Sequence, residues 1–289
     1  RQAHYAIADW TVQTDYLTLA EVCREVMRGR HYWLRAHQSS ESPRFEDDHV
    51  CDVVTATERY PIYVGWGLLN NLGKKAPEAG LSGNAYVVAD ASVFSLHGET
   101  VMNSLREAGF NTRSFAVPAG ETSKTLGTAS DIYDWLVDCH AERSDVVFAL
   151  GGGVMGDLAG FVAATFLRGL ALVQVPTSLV AMVDASVGGK TAVNHPKAKN
   201  LVGAFYQPRL VLADVQALTT LPERELTSGW AELIKHGLVL DSDLYAFVEK
   251  NAGKLVKLNP EATTEAVRRS VAVKARIVSE DEKEQGLRM

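Results

Sequence analysis

The stretch LGGGVMGDLAG, residues 150–160, closes an apolar run, DVVFALG (145–151), and leads into a helical pattern over 158–167. Strand, glycine turn and helix in that order make the first half of a βαβ unit, and Gly151, Gly153 and Gly156 match the spacing GxGxxG. Glycines let backbone amides approach a pyrophosphate, and a helix N-terminus adds a favourable dipole for the anion. Taken alone the match is weak, because glycine-rich strand-to-helix turns also serve packing. The acidic residue that a dinucleotide site carries about twenty positions further on is missing, since 171–180 reads ALVQVPTSLV. The ribose must then be held elsewhere. Asp90, closing the apolar run NAYVVAD (84–90) at the carboxyl edge of a sheet, is the candidate.

Working outward, the same alternation continues on both sides. PIYVG (61–65), NTRSFAV (111–117), LALVQVP (170–176) and RLVLAD (209–214) read as further strands, with helical stretches at 98–109 and 124–139 between them. This predicts an α/β fold: a Rossmann-like, mostly parallel sheet with helices on both faces, spanning residues 50–220. Beyond about 220 the strands cease, and TTLPERELTSGWAELIKHG, DSDLYAFVEKNAGKLVKL and PEATTEAVRRSVAVKARIVSEDEKEQ read as an all-helical domain over 221–289, expected to be truncated. Thr220 and Glu223 have capping-box spacing there, and Pro222 suits a first turn. Ahead of the sheet, residues 1–35 hold a strand-like run (6–12) and a helical stretch (18–34), and the polar AHQSSESPRFEDDH (36–49) reads as a linker.

The chain has 289 residues, 46% hydrophobic and 22% charged, with a net charge of −6, which implies no general nucleic-acid surface. No signal peptide opens it, and its longest apolar region (146–167) is interrupted by GGGVMGD, so no membrane span is expected and a cytoplasmic protein is. Three cysteines (Cys23, Cys51, Cys139), far apart and without a CxxC pair, fit a reducing compartment and argue against a Cys-rich zinc site.

Two further stretches carry chemistry. In VDASVGGKTAVNHPKAKN (183–200), GGKT invites a phosphate-loop reading, but that pattern would need glycine where Asp184 stands. What remains, Lys190, Lys197 and Lys199 with Asn194 and Asn200, suits an anionic phosphorylated ligand or a plain solvated basic loop. In GWAELIKHG (229–237), Glu232, Lys235 and His236 fall three and four apart on one helical face. They make either a metal or catalytic site or a solvated face with a chance histidine.

GGGVMGDLAGFVAATFLRG (151–169), VPTSLVAMVDASVGGKTAVNHPKAKNLVGAFYQP (175–208) and LPERELTSGWAELIKHG (221–237) together resemble the 3-dehydroquinate synthase family, in order and spacing, across about 50–289. The resemblance implies tightly bound NAD and a divalent metal, zinc or cobalt. It also implies cyclisation of 3-deoxy-D-arabino-heptulosonate 7-phosphate to 3-dehydroquinate, a shikimate-pathway step toward the aromatic amino acids, and a homodimer. Mapped onto this chain, it implies that Asp90 holds the ribose, that Glu121 and Lys124 contact the nucleotide, and that Gly152, Gly153, Val154, Gly156 and Asp157 form the pyrophosphate loop. Thr177 and Ser178 lie toward the nicotinamide (members commonly carry threonine at the second position), and Thr219 joins the cofactor contacts. Lys190 and Lys199 serve the cofactor and substrate. Asp184, Asn200, Lys235, Lys274 and Arg288 are the remaining substrate and catalytic contacts, and Glu232 is the metal ligand. His236 has no ligand role in the resemblance and is expected to be a structural or surface side chain.

The family's other two metal ligands are histidines, the first in a GHxxGHA stretch just beyond the arginine matched by Arg288. None of the chain's eight histidines stands in such a motif, so the 289 residues are expected to bind zinc poorly and to turn over little. RQAHYAIADWTVQTDYLTLAEVCREVM (1–27) resembles the last part of shikimate kinase, with Arg1 at a substrate-binding arginine. That implies a kinase–synthase fusion cut at both ends, with no kinase activity in this piece. A related sugar-phosphate cyclase, a polyol dehydrogenase and a non-catalytic NAD-binding fragment are the competing readings.

Overall fold

The structure is a computed structural model that describes residues 47–285, together with Glu21, Val22 and Val26. Arg1 and the rest of the kinase-like stretch, nearly all of the linker, Cys23 and Arg288 lie outside the described residues.

Nine strands are present among them: β1 (His49–Val54), β2 (Arg59–Gly65), β3 (Asn84–Asp90), β4 (Asn111–Val117), β5 (Val146–Gly151), β6 (Ala171–Pro176), β7 (Lys190–His195), β8 (Ala198–Phe205) and β9 (Leu210–Asp214). Seven form one sheet in the order β1-β2-β9-β6-β5-β3-β4, parallel throughout except that β1 runs antiparallel to β2. The central strands are apolar on both sides, as VVFALG of β5 is along its whole length, because helices cover both faces. On one face lie α1 (Leu72–Glu78) and α2 (Glu99–Glu107); on the other lie α3 (Leu126–Asp138) and α4 (Gly153–Thr165). Then come α5 (Glu223–Val239), α6 (Ser242–Leu255) and α7 (Pro260–Glu280). Their apolar stripes join the sheet in one cluster, in which Leu233, Leu244, Val267 and Val271 pack with Val53, Ile62, Val64 and Val211. Among the described residues no helix is long and apolar enough to cross a membrane.

The packing of α1 on α2 depends on one glycine. The amide of Gly73 donates to Ser104 Oγ at 2.9 Å, and a Cβ at position 73 would lie 1.8 Å from the Ser104 carbonyl oxygen. Gly73→Ala is expected to force the two helices apart and destabilise the fold by about 1–3 kcal/mol. A lowered urea midpoint with unchanged slope would register it.

The structure departs from the expectations at four places. β1 begins at His49, so the linker does not reach that residue; pairing with β2 extends the sheet edge. The helix after β5 opens at Gly153 rather than 158, because Gly152 completes the turn and the first helical turn carries no apolar pattern to announce it. The stretch 183–200 is not a loop: it holds a π-helical turn (Ala181–Ala185) and the antiparallel hairpin β7–β8. The capping box does not form. Pro222 is itself the N-cap of α5, so the helix opens at Glu223, and Thr220 instead ends the preceding 3₁₀ turn, its hydroxyl donating to the Ala217 carbonyl at 2.8 Å.

Candidate active site and cofactor crevice

The strand order creates a crevice. The chain leaves β3 toward β4 on one side and leaves β5 toward β6 on the other, so the topology reverses between the neighbours β3 and β5. Open α/β sheets bind ligands outside the carboxyl ends of the strands at such a point. Asp90 ends β3 and Gly151 ends β5; a Cβ on Gly151 would lie 3.5 Å from that of Asp90. Asp90 Oδ1 accepts from the amides of Ser92 (2.9 Å) and Val93 (3.3 Å) and from the Ser92 hydroxyl, which fixes the carboxylate at the crevice wall.

Opposite it stands the first turn of α4. Like any helix start, its leading amides, those of Gly153 and Val154, lack an intrahelical acceptor. A Cβ on Gly153 would sit 3.2 Å from Ala185 Cβ, and one on Gly152 would sit 3.4 Å from Ser178 Oγ. Side chains would fill this cradle; bare backbone leaves it open to an anion, so it fits a pyrophosphate. Gly156 lies close to buried Gln174, whose Nε2 donates to the Gly156 carbonyl at 3.1 Å. The amide of Thr177 donates to the Gly151 carbonyl at 2.9 Å, which ties the β6 turn to the same place.

The hairpin forms the second wall. Lys124, only 3% exposed, pairs with Asp157 and donates to Asn200 Oδ1 at 2.5 Å. Burial pushes the Asp157 carboxyl up, with the Lys124 ammonium opposing it. Asn194 latches the hairpin to the turn before α3: its amide donates to the Lys124 carbonyl at 2.8 Å and its Nδ2 to Glu121 Oε1 at 2.8 Å. That second bond, helped by nearby Lys124 and Lys199, holds Glu121 below the usual carboxylate range. Lys199 Nζ lies 3.7 Å from Glu121 Oε1. Asn200 takes a left-handed φ of 56°, a conformation asparagine tolerates better than most residues, and its amide donates to Asn194 Oδ1 at 2.9 Å.

A cavity of about 410 Å³ opens beside the crevice, with Asp157, Asp184, Lys190, Asn200 and Lys274 among its lining residues and Leu201 and Phe205 on its apolar side. Lys274 Nζ lies 2.5 Å from Asp184 Oδ1. Burial pushes Asp184 up, but Lys274 outweighs it and holds the carboxyl below its ordinary value. Lys190 forms an ion pair with Glu284, which follows α7.

Behind Asp184 stands GWAELIKHG on α5. Asp184, Glu232 and His236 each offer one ligand atom, all within 4.8 Å of one another; among the described residues they are the group that could hold a metal ion. Glu232 Oε1 is buried and makes no hydrogen bond; it meets Lys235 as an ion pair by charge and lies 3.7 Å from His236 Nε2. A buried carboxylate oxygen held by charge alone, beside a second carboxylate, fits a divalent cation that takes the place of the Lys235 ammonium. The structure buries His236 at 3% exposure, away from the surface, with Nδ1 2.8 Å from Ser270 Oγ. Burial lowers its pKa, with Asp184 and Glu232 opposing.

The sequence-derived residues therefore assemble as two adjoining groups. Asp90, Gly152, Gly153, Val154, Gly156, Asp157, Thr177 and Ser178 meet at the crevice. Asp184, Lys190, Asn200, Lys274, Glu232 and Lys235 meet at the cavity or just behind it. Thr219 is exposed, and its hydroxyl donates to the Gln216 carbonyl of its own turn at 2.8 Å; the neighbouring Thr220 is the one that meets His97 Nε2, at 3.1 Å. Sequence reasoning missed Glu284, Ser270 and the nearness of Asp184 to Glu232. Each depends on a contact across tens of residues that no local spacing displays.

Two family models match this chain in tandem, "3-dehydroquinate synthase N-terminal" over residues 114–228 and "3-dehydroquinate synthase C-terminal" over 229–289. The chain belongs to the 3-dehydroquinate synthase family. The boundary between the two models falls inside α5, so Glu232 and Lys235 belong to the family's C-terminal part. The 3-dehydroquinate synthase of Citrifermentans bemidjiense is 50% identical over 229 residues, covering 79% of this chain and 63% of that protein. The chain thus spans less than two thirds of that relative's length. Among solved structures, 2-deoxy-scyllo-inosose synthase complexed with carbaglucose-6-phosphate, NAD+ and Co2+ superposes with a TM-score of 0.76 at 27% identity, covering 82% of this chain and 64% of that one. The 2-epi-5-epi-valiolone synthase of Streptomyces hygroscopicus subsp. jinggangensis, with NAD+ and Zn2+ bound, superposes with a TM-score of 0.72 at 32% identity, covering 81% and 66%.

Proposed function

We propose that this chain carries dehydroquinate synthase chemistry: cyclisation of 3-deoxy-D-arabino-heptulosonate 7-phosphate to 3-dehydroquinate with release of phosphate, using NAD and zinc or cobalt. The observation that carries the reading is shared walls. Asp157 belongs to the glycine turn and also lines the cavity of Lys190 and Lys274, and Ala185 lies against Gly153 and lines it too. A dinucleotide in the crevice would end beside a substrate in the cavity, with Glu232 behind.

NAD supplies reversible oxidation of one carbinol, which acidifies the neighbouring C–H for β-elimination of phosphate and leaves no net redox change. A divalent cation, held by Glu232, supplies stabilisation of developing alkoxide and enolate charge. The chain's own residues do the rest. The amides of Gly153 and Val154 bind the pyrophosphate, and Asp90 accepts from the ribose hydroxyls. Lys190, Lys235, Lys274 and Arg288 grip the substrate's carboxylate and phosphate, fixing one conformer of a flexible chain. Asp184, kept ionised by Lys274, accepts from a substrate hydroxyl. The departing phosphate itself takes the proton at the carbon next to the ketone, so a dedicated protein base is not needed.

Identity of 50% to a dehydroquinate synthase against 27% to 2-deoxy-scyllo-inosose synthase and 32% to 2-epi-5-epi-valiolone synthase favours this substrate. We read the first 35 residues, from their resemblance to shikimate kinase, as the end of a fused kinase, and the working unit as a homodimer. Phosphate release from the heptulosonate phosphate, with NAD and zinc, tests the proposal. The assay compares the 289 residues with a polypeptide extended past Met289 through the family's GHxxGHA segment and on to its second histidine ligand. Release is expected chiefly from the longer one; no release from either would refute the assignment.

A further inference from the structure

The helix pair α5 and α7 carries a polar contact that the reading above does not use. His236 on α5 and Ser270 on α7 are buried at 3% and 0% exposure in an interface otherwise built by Leu233, Val267 and Val271. Packing alone would be served there by an apolar ring. Instead Ser270 Oγ lies 2.8 Å from His236 Nδ1, which pins the ring plane and with it the direction of Nε2. That edge faces Glu232 Oε1 at 3.7 Å, in the same group of atoms as the Asp184 carboxylate. Glu232 and His236 are four residues apart, and side chains on a helix lean toward its N-terminus, so the ring lies under the Glu232 carboxylate.

We infer that Ser270 and His236 form a positioning pair that holds Glu232 in the orientation needed to receive a divalent cation. The pair acts through Glu232 and does not ligate. The Ser270 hydroxyl can donate to Nδ1, and the other edge faces two carboxylates, so the ring proton belongs on Nε2. A protonated Nε2 has no lone pair for a metal; it offers a donor on the inner side of a carboxylate oxygen whose other contact is the largely exposed Lys235 ammonium. Partners of this kind behind a ligand typically govern metal affinity by 10–100-fold.

The inference rests on the reading of Glu232 as a cation ligand, and its test reads metal binding directly. Co2+ and Zn2+ affinities would be measured by chelator competition for the polypeptide extended past Met289 and for its His236→Ala, His236→Gln and Ser270→Ala variants, together with the Co2+ absorption spectrum and NAD affinity. His236→Ala is expected to weaken cation binding by roughly 10–100-fold, and Ser270→Ala by a smaller factor. His236→Gln, whose amide nitrogen can stand in for Nε2, should recover most of the loss. The cobalt spectrum of the glutamine variant should match that of the wild type, and NAD affinity should not move in any of them. Should His236→Ala fail to fold, Ser270→Ala and His236→Gln decide alone. Unchanged affinity in the folded variants overturns the inference, as does an extended polypeptide with the wild-type residues that binds neither ion. A cobalt spectrum that loses an imidazole contribution in His236→Gln also overturns it, by making the ring a ligand. Phosphate release without any His236 effect leaves the activity assignment standing and removes this inference; the His236 effect without phosphate release does the reverse.

Discussion

Gly153→Val is expected to lower NAD affinity by roughly 10²–10⁴-fold while leaving the unfolding midpoint close to that of the wild type. The residue opens α4, and a Cβ there already stands 3.2 Å from Ala185. A branched side chain would occupy the space between the helix start and the π-helical turn that carries Asp184, where the pyrophosphate must come within hydrogen-bond reach of bare backbone. Two charge-assisted bonds, to the amides of positions 153 and 154, would be lost or lengthened. At about 1.5–3 kcal/mol each, that is on the order of 3–6 kcal/mol, and about 1.4 kcal/mol is a factor of ten. The side chain would face the crevice and leave the core intact, which is why stability should hold. Calorimetric titration with NAD reads the effect. A folded variant with wild-type affinity would show that the cofactor does not use this turn.

Glu232→Gln should be the most damaging isosteric change in the cavity region. It removes the charge and keeps the shape, so packing on α5 is preserved and Lys235, largely exposed, returns to solvent at little expense. The carboxylate oxygen that makes no hydrogen bond becomes part of a neutral amide, a poor donor for a hard cation. Loss of an outer partner typically weakens a metal site by about 10–100-fold, and loss of the ligand itself is expected to exceed that. Phosphate release should fall to background, and NAD affinity should stay put because Asp90 and the glycine turn are untouched. Retention of cation affinity in this variant would move the metal site away from α5.

How legible this was in the sequence depended on whether a contact is local. β3 carries the predicted limits, 84–90, because a buried parallel strand reads as an apolar run between turn residues, and the edge strand β4 keeps its predicted limits, 111–117, although it is largely exposed. β8, AKNLVGAF, is exposed along almost its whole length, so it shows no alternation, and the hairpin was hidden within a basic loop. The glycine turn announced itself; the true start of α4 did not, since glycines carry no apolar period. Thr220 and Glu223 had the right spacing for a cap, but Thr220 ends the preceding 3₁₀ turn and the helix opens only at Glu223. At the site, Asp90 was picked from its place at the end of an apolar strand, whereas Asp184, Lys190, Lys274 and Glu232 took their roles from the resemblance; the structure sets these four in or beside one cavity. His236 is the instructive case: its spacing from Glu232 was visible, but its role turns on Ser270, 34 residues later and on another helix.

The central claim is that NAD in the β3–β5 crevice serves an elimination in the neighbouring cavity and is restored with each turnover. Its most direct test follows phosphate release and NADH absorbance together, with 3-deoxy-D-arabino-heptulosonate 7-phosphate, NAD and zinc, on the polypeptide extended past Met289. Phosphate should appear one-for-one with the cyclised product, require NAD, and leave no accumulated NADH. NADH rising in step with substrate consumption, or phosphate release that ignores NAD, would contradict the account.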